Sequence, residues 1–106
     1  MEFCEIKKRA LEIRAKYEKY ETQRNGKSWN NEQIMEGFIV DVGDLMRLVM
    51  VKEGVRDGEK VDDKIAHELS DCLWSLLVLA DKYGINLEKA FVDNMNILDD
   101  KLDEKK

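Results

Sequence analysis

Two long apolar stretches, each interrupted by a pair of acids, constrain this chain more than any other feature. From Phe38 to Val51 the only charges are Asp41, Asp44 and Arg47, and from Ile65 to Ala80 the only formal charges are Glu68 and Asp71. Within each stretch the acids stand at i and i+3, which puts them on one face of a helix, a turn apart. Helices this apolar leave little surface for water, so the acidic edges are expected to point inward or into a cleft. A buried, unpaired carboxylate is costly even after the surroundings relax. Four of them together would exceed the roughly 5–15 kcal/mol by which a domain is usually stable. A counter-charge is therefore required, and a divalent cation is the simplest one.

The rest of the chain extends the helical pattern. The 106 residues contain no proline, 39% are charged and 43% hydrophobic, which favours a single all-α domain. Helices are expected at about 3–24, 31–53, 63–83 and 87–104, making a four-helix bundle. The first has an apolar stripe of Phe3, Ile6, Ala10, Leu11, Ile13 and Tyr17. Its basic residues Lys7, Lys8, Arg9, Arg14, Lys16 and Lys19 read as a solvated face, with the steering of phosphates as the alternative. Asn25-Gly26 stops it, and Asn30 with Gln33 forms a capping box for the second. Gly37 and Gly43 inside the second helix each cost roughly 1 kcal/mol relative to alanine, so something is expected to approach closely there. Asp62 is the expected N-cap of the third helix, with Val61 as its staple, and Gly84-Ile85 its Schellman ending. Asn86 caps a fourth helix with the stripe Leu87, Ala90, Phe91, Met95, Leu98 and Leu102. Because the two middle helices are apolar on nearly every side, so small a bundle cannot cover both. Homo-oligomerisation, as a dimer or a dimer of dimers, is expected to complete the core.

Several function classes are disfavoured. The net charge of −5 argues against a nucleic-acid partner, which would call for a basic face. A polyanionic substrate would need a cation to bridge it to the protein. No stretch approaches the ~20 apolar residues of a membrane span, and the first residues lack the apolar core of a signal peptide. Cys4 and Cys72, far apart in sequence, read as reduced thiols of a cytoplasmic protein.

Facing D-x-x-D and E-x-x-D motifs supply hard oxygen ligands and no soft ones, a set that suits Mg²⁺ or Mn²⁺ better than zinc. A di-iron carboxylate bundle would need Glu-x-x-His motifs, whereas the position three before the only histidine, His67, is Lys64. His67 is expected as a surface or partly buried polar residue. The acids could instead cap, face a wet groove or pair locally, as Asp44 with Arg47.

G-F-I-V-D-V-G-D-L resembles the E-V-G-E-L segment of MazG-like nucleotide pyrophosphohydrolases, in the all-α NTP pyrophosphatase superfamily. H-E-L-S-D-C-L-W-S-L-L-V-L-A-D-K-Y-G-I-N-L-E-K-A-F is similar to that family's E-x-x-D helix, its G-I-(D/N)-L turn and the start of its last helix. N-M-N-I-L-D-D-K-L is similar to the ending of some members, and the resemblance spans about residues 28–102. It implies Mg²⁺-dependent hydrolysis of a nucleoside triphosphate to the monophosphate and diphosphate, a housecleaning of the nucleotide pool. Asp41, Asp44, Glu68 and Asp71 would then be the metal ligands. Asp44 would also orient or deprotonate the attacking water, and Glu68 is counted with it as catalytic. Relatives usually carry Glu where this chain has Asp41 and Asp44, each shorter by roughly 1.5 Å of reach.

Trp29 and Trp74 offer aromatic planes for a base or plain core packing, Trp29 lying roughly where relatives line their base pocket. Lys52, Arg56, Lys64 and Lys101 flank the acidic segments as candidate phosphate contacts. Asn94 falls where the family often places a polar or basic substrate-facing residue. The competing expectation is a non-catalytic nucleotide-binding or oligomeric helical module built on the same fold.

Overall fold

Local chemistry sets where each helix begins and ends. The structure is a computed structural model and describes residues 1–54 and 58–104. Over those residues it is all-helical: α1 (Phe3–Asn25), α2 (Asn31–Lys52), α3 (Val61–Lys82) and α4 (Leu87–Glu104). Gly26 ends α1 in the left-handed region, at φ 81°. The capping box forms as expected, with the Asn30 amide donating to Gln33 Oε1 and the Gln33 amide to Asn30 Oδ1. At the end of α3 the Ile85 amide donates to the Ala80 carbonyl and the Gly84 amide to that of Asp81, the two bonds of a Schellman motif. Asn86 Oδ1 accepts from the Lys89 amide to start α4.

The start of α3 departs from expectation. Lys60, at φ 53°, is the capping residue, Val61 is already helical, and Asp62 lies in the first turn rather than at the cap. The Asp62 carboxylate is engaged elsewhere, accepting from Lys52 Nζ at 2.7 Å across the loop. Its charge still suits the helix dipole there.

α2 and α3 run antiparallel. Lys52 meets Asp62 beside the loop, Asp44 meets Glu68 midway, and Ile34 and Val78 line a common cleft at the far end. Among the described residues the buried apolar ones are Ile34 and Leu48 from α2, with Cys72, Leu77, Val78 and Ala80 from α3. α1 packs on α3, where Trp74 Nε1 donates to the Ala10 carbonyl at 3.0 Å and Lys82 Nζ to Glu18 Oε1 at 2.8 Å. The Lys82 hydrogen bond, opposed by partial burial, holds the Glu18 carboxyl below its ordinary range.

α4 buries none of its side chains. Phe91, in the middle of its apolar stripe, is 60% exposed. The radius of gyration is accordingly 17.2 Å, against about 13 Å for a compact domain of this length. The two helix-interior glycines also differ. A Cβ on Gly37 would come within 3.0 Å of the Trp29 ring, so that glycine lets the indole lie against α2. Gly43 has nothing near it and faces open space, contrary to the expected close approach.

Leu77, at 2% exposure, sits where α3 meets α1. Leu77→Ala should lower unfolding free energy by about 2–5 kcal/mol in a urea titration, with little change in the slope.

Candidate metal centre and its adjoining cleft

The facing stripes of α2 and α3 are apolar at their ends and acidic in the middle. On α2 the stripe reads Ile34, Gly37, Asp41, Asp44, Leu48, Val51, and on α3 it reads Val61, Ile65, Glu68, Cys72. The three-and-four spacing that buries Leu48 and Cys72 therefore also carries the acids into the seam. Asp41, Asp44 and Glu68 each bring a carboxylate oxygen within 4.8 Å of the others, all partly buried. Glu68 with Asp71 and His67 forms a second such group, so the two clusters share Glu68.

Crowding of like charge is visible in the protonation of the site. Burial pushes the Glu68 carboxyl up, and the charges of Asp41, Asp44 and Asp71 add to it. Asp41 rises for the same reasons, burial first, then Asp71 and Asp44, while His67 acts in the opposite sense on both. Burial, then Asp41, Glu68 and Asp71, also raises the Cys72 thiol. That keeps it protonated and leaves the donor set hard. Among the described residues Glu68 Oε2 is buried without a hydrogen-bond partner. A buried carboxylate oxygen normally has one, so this atom fits a cation ligand. Asp44 also makes the local pair with Arg47 that its spacing allowed, at 3.4 Å on a half-exposed surface. Asp71 Oδ2 lies 3.1 Å from His67 Nε2.

A cleft of about 580 Å³ opens beside the acids, with Asp41, His67 and Asp71 on its wall. Its other walls come from all three packed helices and include Trp29, Trp74, Tyr17, Arg14 and Glu21. This volume falls in the range of small-molecule sites. Trp74 is held by its bond to Ala10 and by Tyr17, the two ring centroids 5.5 Å apart and tilted at 53°. Trp29 is half-exposed and fixed by its amide, which donates to Glu21 Oε1 at 2.8 Å.

The expected basic contacts separate. Lys64 lines a shallower hollow with Arg47, His67 and Glu68, close to the acids. Lys52 is occupied by Asp62 near the loop. Asn94 and Lys101 stand exposed on α4, outside the cleft. Arg56 lies outside the described residues.

Several residues of the site were not anticipated from sequence, His67, Arg14 and Glu21 among them. His67, though exposed as expected, lies on the cleft wall and against Asp71. Arg14, assigned above to the solvated face of α1, is 7% exposed, as is Glu21. Extending the α1 stripe by alternating steps of four and three from Ala10 through Arg14 and Tyr17 reaches Glu21. The signal was present but carried by charged residues.

Raised carboxyls make the metal-free protein less stable as pH rises. The folded state holds protons that the unfolded state has lost, so stability falls from the ordinary values of 3.8 for Asp and 4.5 for Glu up through the raised folded values. In chelator at neutral pH, Asp41→Asn and Glu68→Gln should raise the thermal midpoint, and the gain should fade as the buffer is acidified. A lower midpoint in both variants at pH 7 would contradict the charge crowding. Compared with known proteins, the chain matches no family model, no curated protein and no solved structure.

Proposed function

We propose that the protein is a MazG-like, Mg²⁺-dependent nucleoside triphosphate pyrophosphohydrolase, converting a (d)NTP and water to the (d)NMP and diphosphate. One observation carries the reading. A cluster of carboxylates with an unpartnered buried oxygen adjoins a cleft of about 580 Å³ walled by two tryptophans. The hard acidic end suits a cation and the phosphates it attracts, and the aromatic end suits a base.

Asp41, Asp44, Glu68 and Asp71 would hold Mg²⁺, with Mn²⁺ as the substitute. The ion would neutralise phosphate charge and favour hydroxide at neutral pH. Asp44, which also pairs with Arg47, orients or deprotonates the attacking water. Glu68 fixes the centre of the cluster, since it belongs to both acidic groups. Arg47 and Lys64, lining the hollow beside Glu68, supply positive charge to the phosphate tail. Trp29 and Trp74 flank the base.

Two free thiols fit a reducing, cytoplasmic setting. No helix among the described residues is long and apolar enough to cross a membrane. The working unit is a homodimer or a dimer of dimers. Exposed apolar stripes with coiled-coil spacing run along α2 (Met35, Ile39, Val42, Met46) and α4 (Phe91, Met95, Leu98, Leu102). A second copy would cover them.

Purified protein should release diphosphate from at least one canonical or modified nucleotide with Mg²⁺ and stop on chelation. Glu68→Gln should lower kcat roughly 100-fold or more while circular dichroism stays unchanged. Full activity in that variant would remove the site. Tight nucleotide binding without any turnover would instead favour a non-catalytic binding module, the reading suggested by aspartates at 41 and 44. Light scattering should give a dimer or tetramer at micromolar concentration, and Phe91→Asp should dissociate it. A wild-type monomer would overturn the assembly.

A further inference from the structure

We propose that the buried Arg14–Glu21 pair reads the edge of the base and selects 6-oxopurines and 4-oxopyrimidines over bases with an amino group at that position. The inference rests on the nucleotide reading above and adds a specificity determinant on α1 to it.

A charged pair buried this deeply needs a reason. Arg14 and Glu21 are each 7% exposed, in a protein with little core to spare. Replacing such a pair with apolar residues is often neutral or stabilising. Their positions suggest the reason, since both line the same cleft as the tryptophans and the acids. Arg14 Nη2 donates to Glu21 Oε1, and its Cζ lies 6.0 Å from the centre of the Trp29 ring. The guanidinium is thus held over the Trp29 ring, within the same cleft.

The pair keeps hydrogen-bonding capacity in reserve. Arg14 Nε is closed to solvent, has no hydrogen-bond partner among the described residues and pairs with Glu18 Oε1 at 3.6 Å, so a base would meet the terminal nitrogens of the guanidinium rather than Nε. Both hydrogen bonds accepted by Glu21 fall on Oε1, which leaves the other oxygen for a ligand. Arginine only donates and a carboxylate only accepts. Together they complement an edge with a strong acceptor beside a donor. Guanine, hypoxanthine, uracil and thymine present a carbonyl oxygen next to a ring N–H. Adenine and cytosine present an amino group next to an unprotonated ring nitrogen. A carbonyl oxygen is the better acceptor for arginine, and the ring N–H is the more acidic donor to a carboxylate. Charge assistance strengthens both bonds.

The test uses GTP, UTP, ATP and CTP with wild type, Arg14→Lys and Glu21→Gln. Arg14→Lys keeps the charge but loses the fork. Glu21→Gln keeps an oxygen for the Trp29 amide. Wild type should favour GTP and UTP over ATP and CTP by roughly tenfold in kcat/KM, and each variant should bring that ratio toward one. Calorimetry with GMP, UMP, AMP and CMP in chelator gives the same comparison without metal or turnover. It therefore decides the proposal even if no triphosphate is hydrolysed. An unchanged ratio in both variants would overturn it, as would a wild-type preference for adenine and cytosine, or absence of monophosphate binding together with absence of turnover. A uniform loss for all four nucleotides with a lowered thermal midpoint would also overturn it, by showing that the pair only anchors Trp29.

Discussion

Like charge placed where core residues would normally sit is the constraint from which the rest of this structure follows. Asp41 and Asp44 occupy the α2 stripe between Ile34 and Leu48, and Glu68 occupies the α3 stripe between Ile65 and Cys72. Apolar packing at the two ends of the seam forces the middle together. The helices cannot splay to relieve the repulsion without exposing Leu48 and Cys72, both buried. Carboxylates under this constraint respond by a rise in pKa, as burial and neighbouring acids produce at Asp41 and Glu68, or by gaining a cation. Such a cluster costs the protein stability at that place unless a counter-charge is gained.

The remainder of the fold can be read as support for that seam. α1 leans on α3 through Trp74 and Lys82, and carries Arg14, between those contacts, and Glu21, beyond them, to the cleft. The Glu21 bond to the Trp29 amide and the bare face of Gly37 together place the indole over α2. These contacts bring aromatic and acidic surfaces into one concavity. The support is incomplete within one chain, since α4 buries no side chain and several apolar residues of α2 and α3 remain exposed.

Much of this was legible in the sequence because the signals were local or periodic. Helix limits followed from Asn30, Gln33, Gly26 and the Gly84-Ile85 turn, and the acids showed by interrupting apolar runs at helical spacing. The misses share a cause, since they depended on long-range partners. Asp62 resembles a cap in isolation, but Lys52 across the loop claims its carboxylate. Gly43 resembles a contact point, yet within one chain it meets nothing. Arg14 looked like one more charge on a basic face, because burial of a charged residue is visible only once Glu21 and Trp29 have been brought beside it. The docking of α4 could not be read from its stripe, which states that a partner is needed without saying which surface supplies it.

Whether the α2–α3 seam grips a divalent cation decides what the acidic cluster is for. Manganese offers the most direct measurement, because the electron paramagnetic resonance signal of the free ion is lost when it is bound. Titrated with Mn²⁺, the wild-type protein should deplete the free-ion signal saturably, Mg²⁺ should compete, and the combined Asp41→Asn, Asp44→Asn, Glu68→Gln variant should leave the signal untouched while remaining helical. Wild-type protein that leaves Mn²⁺ free, or a triple variant that binds as well as wild type, would contradict a cation site there.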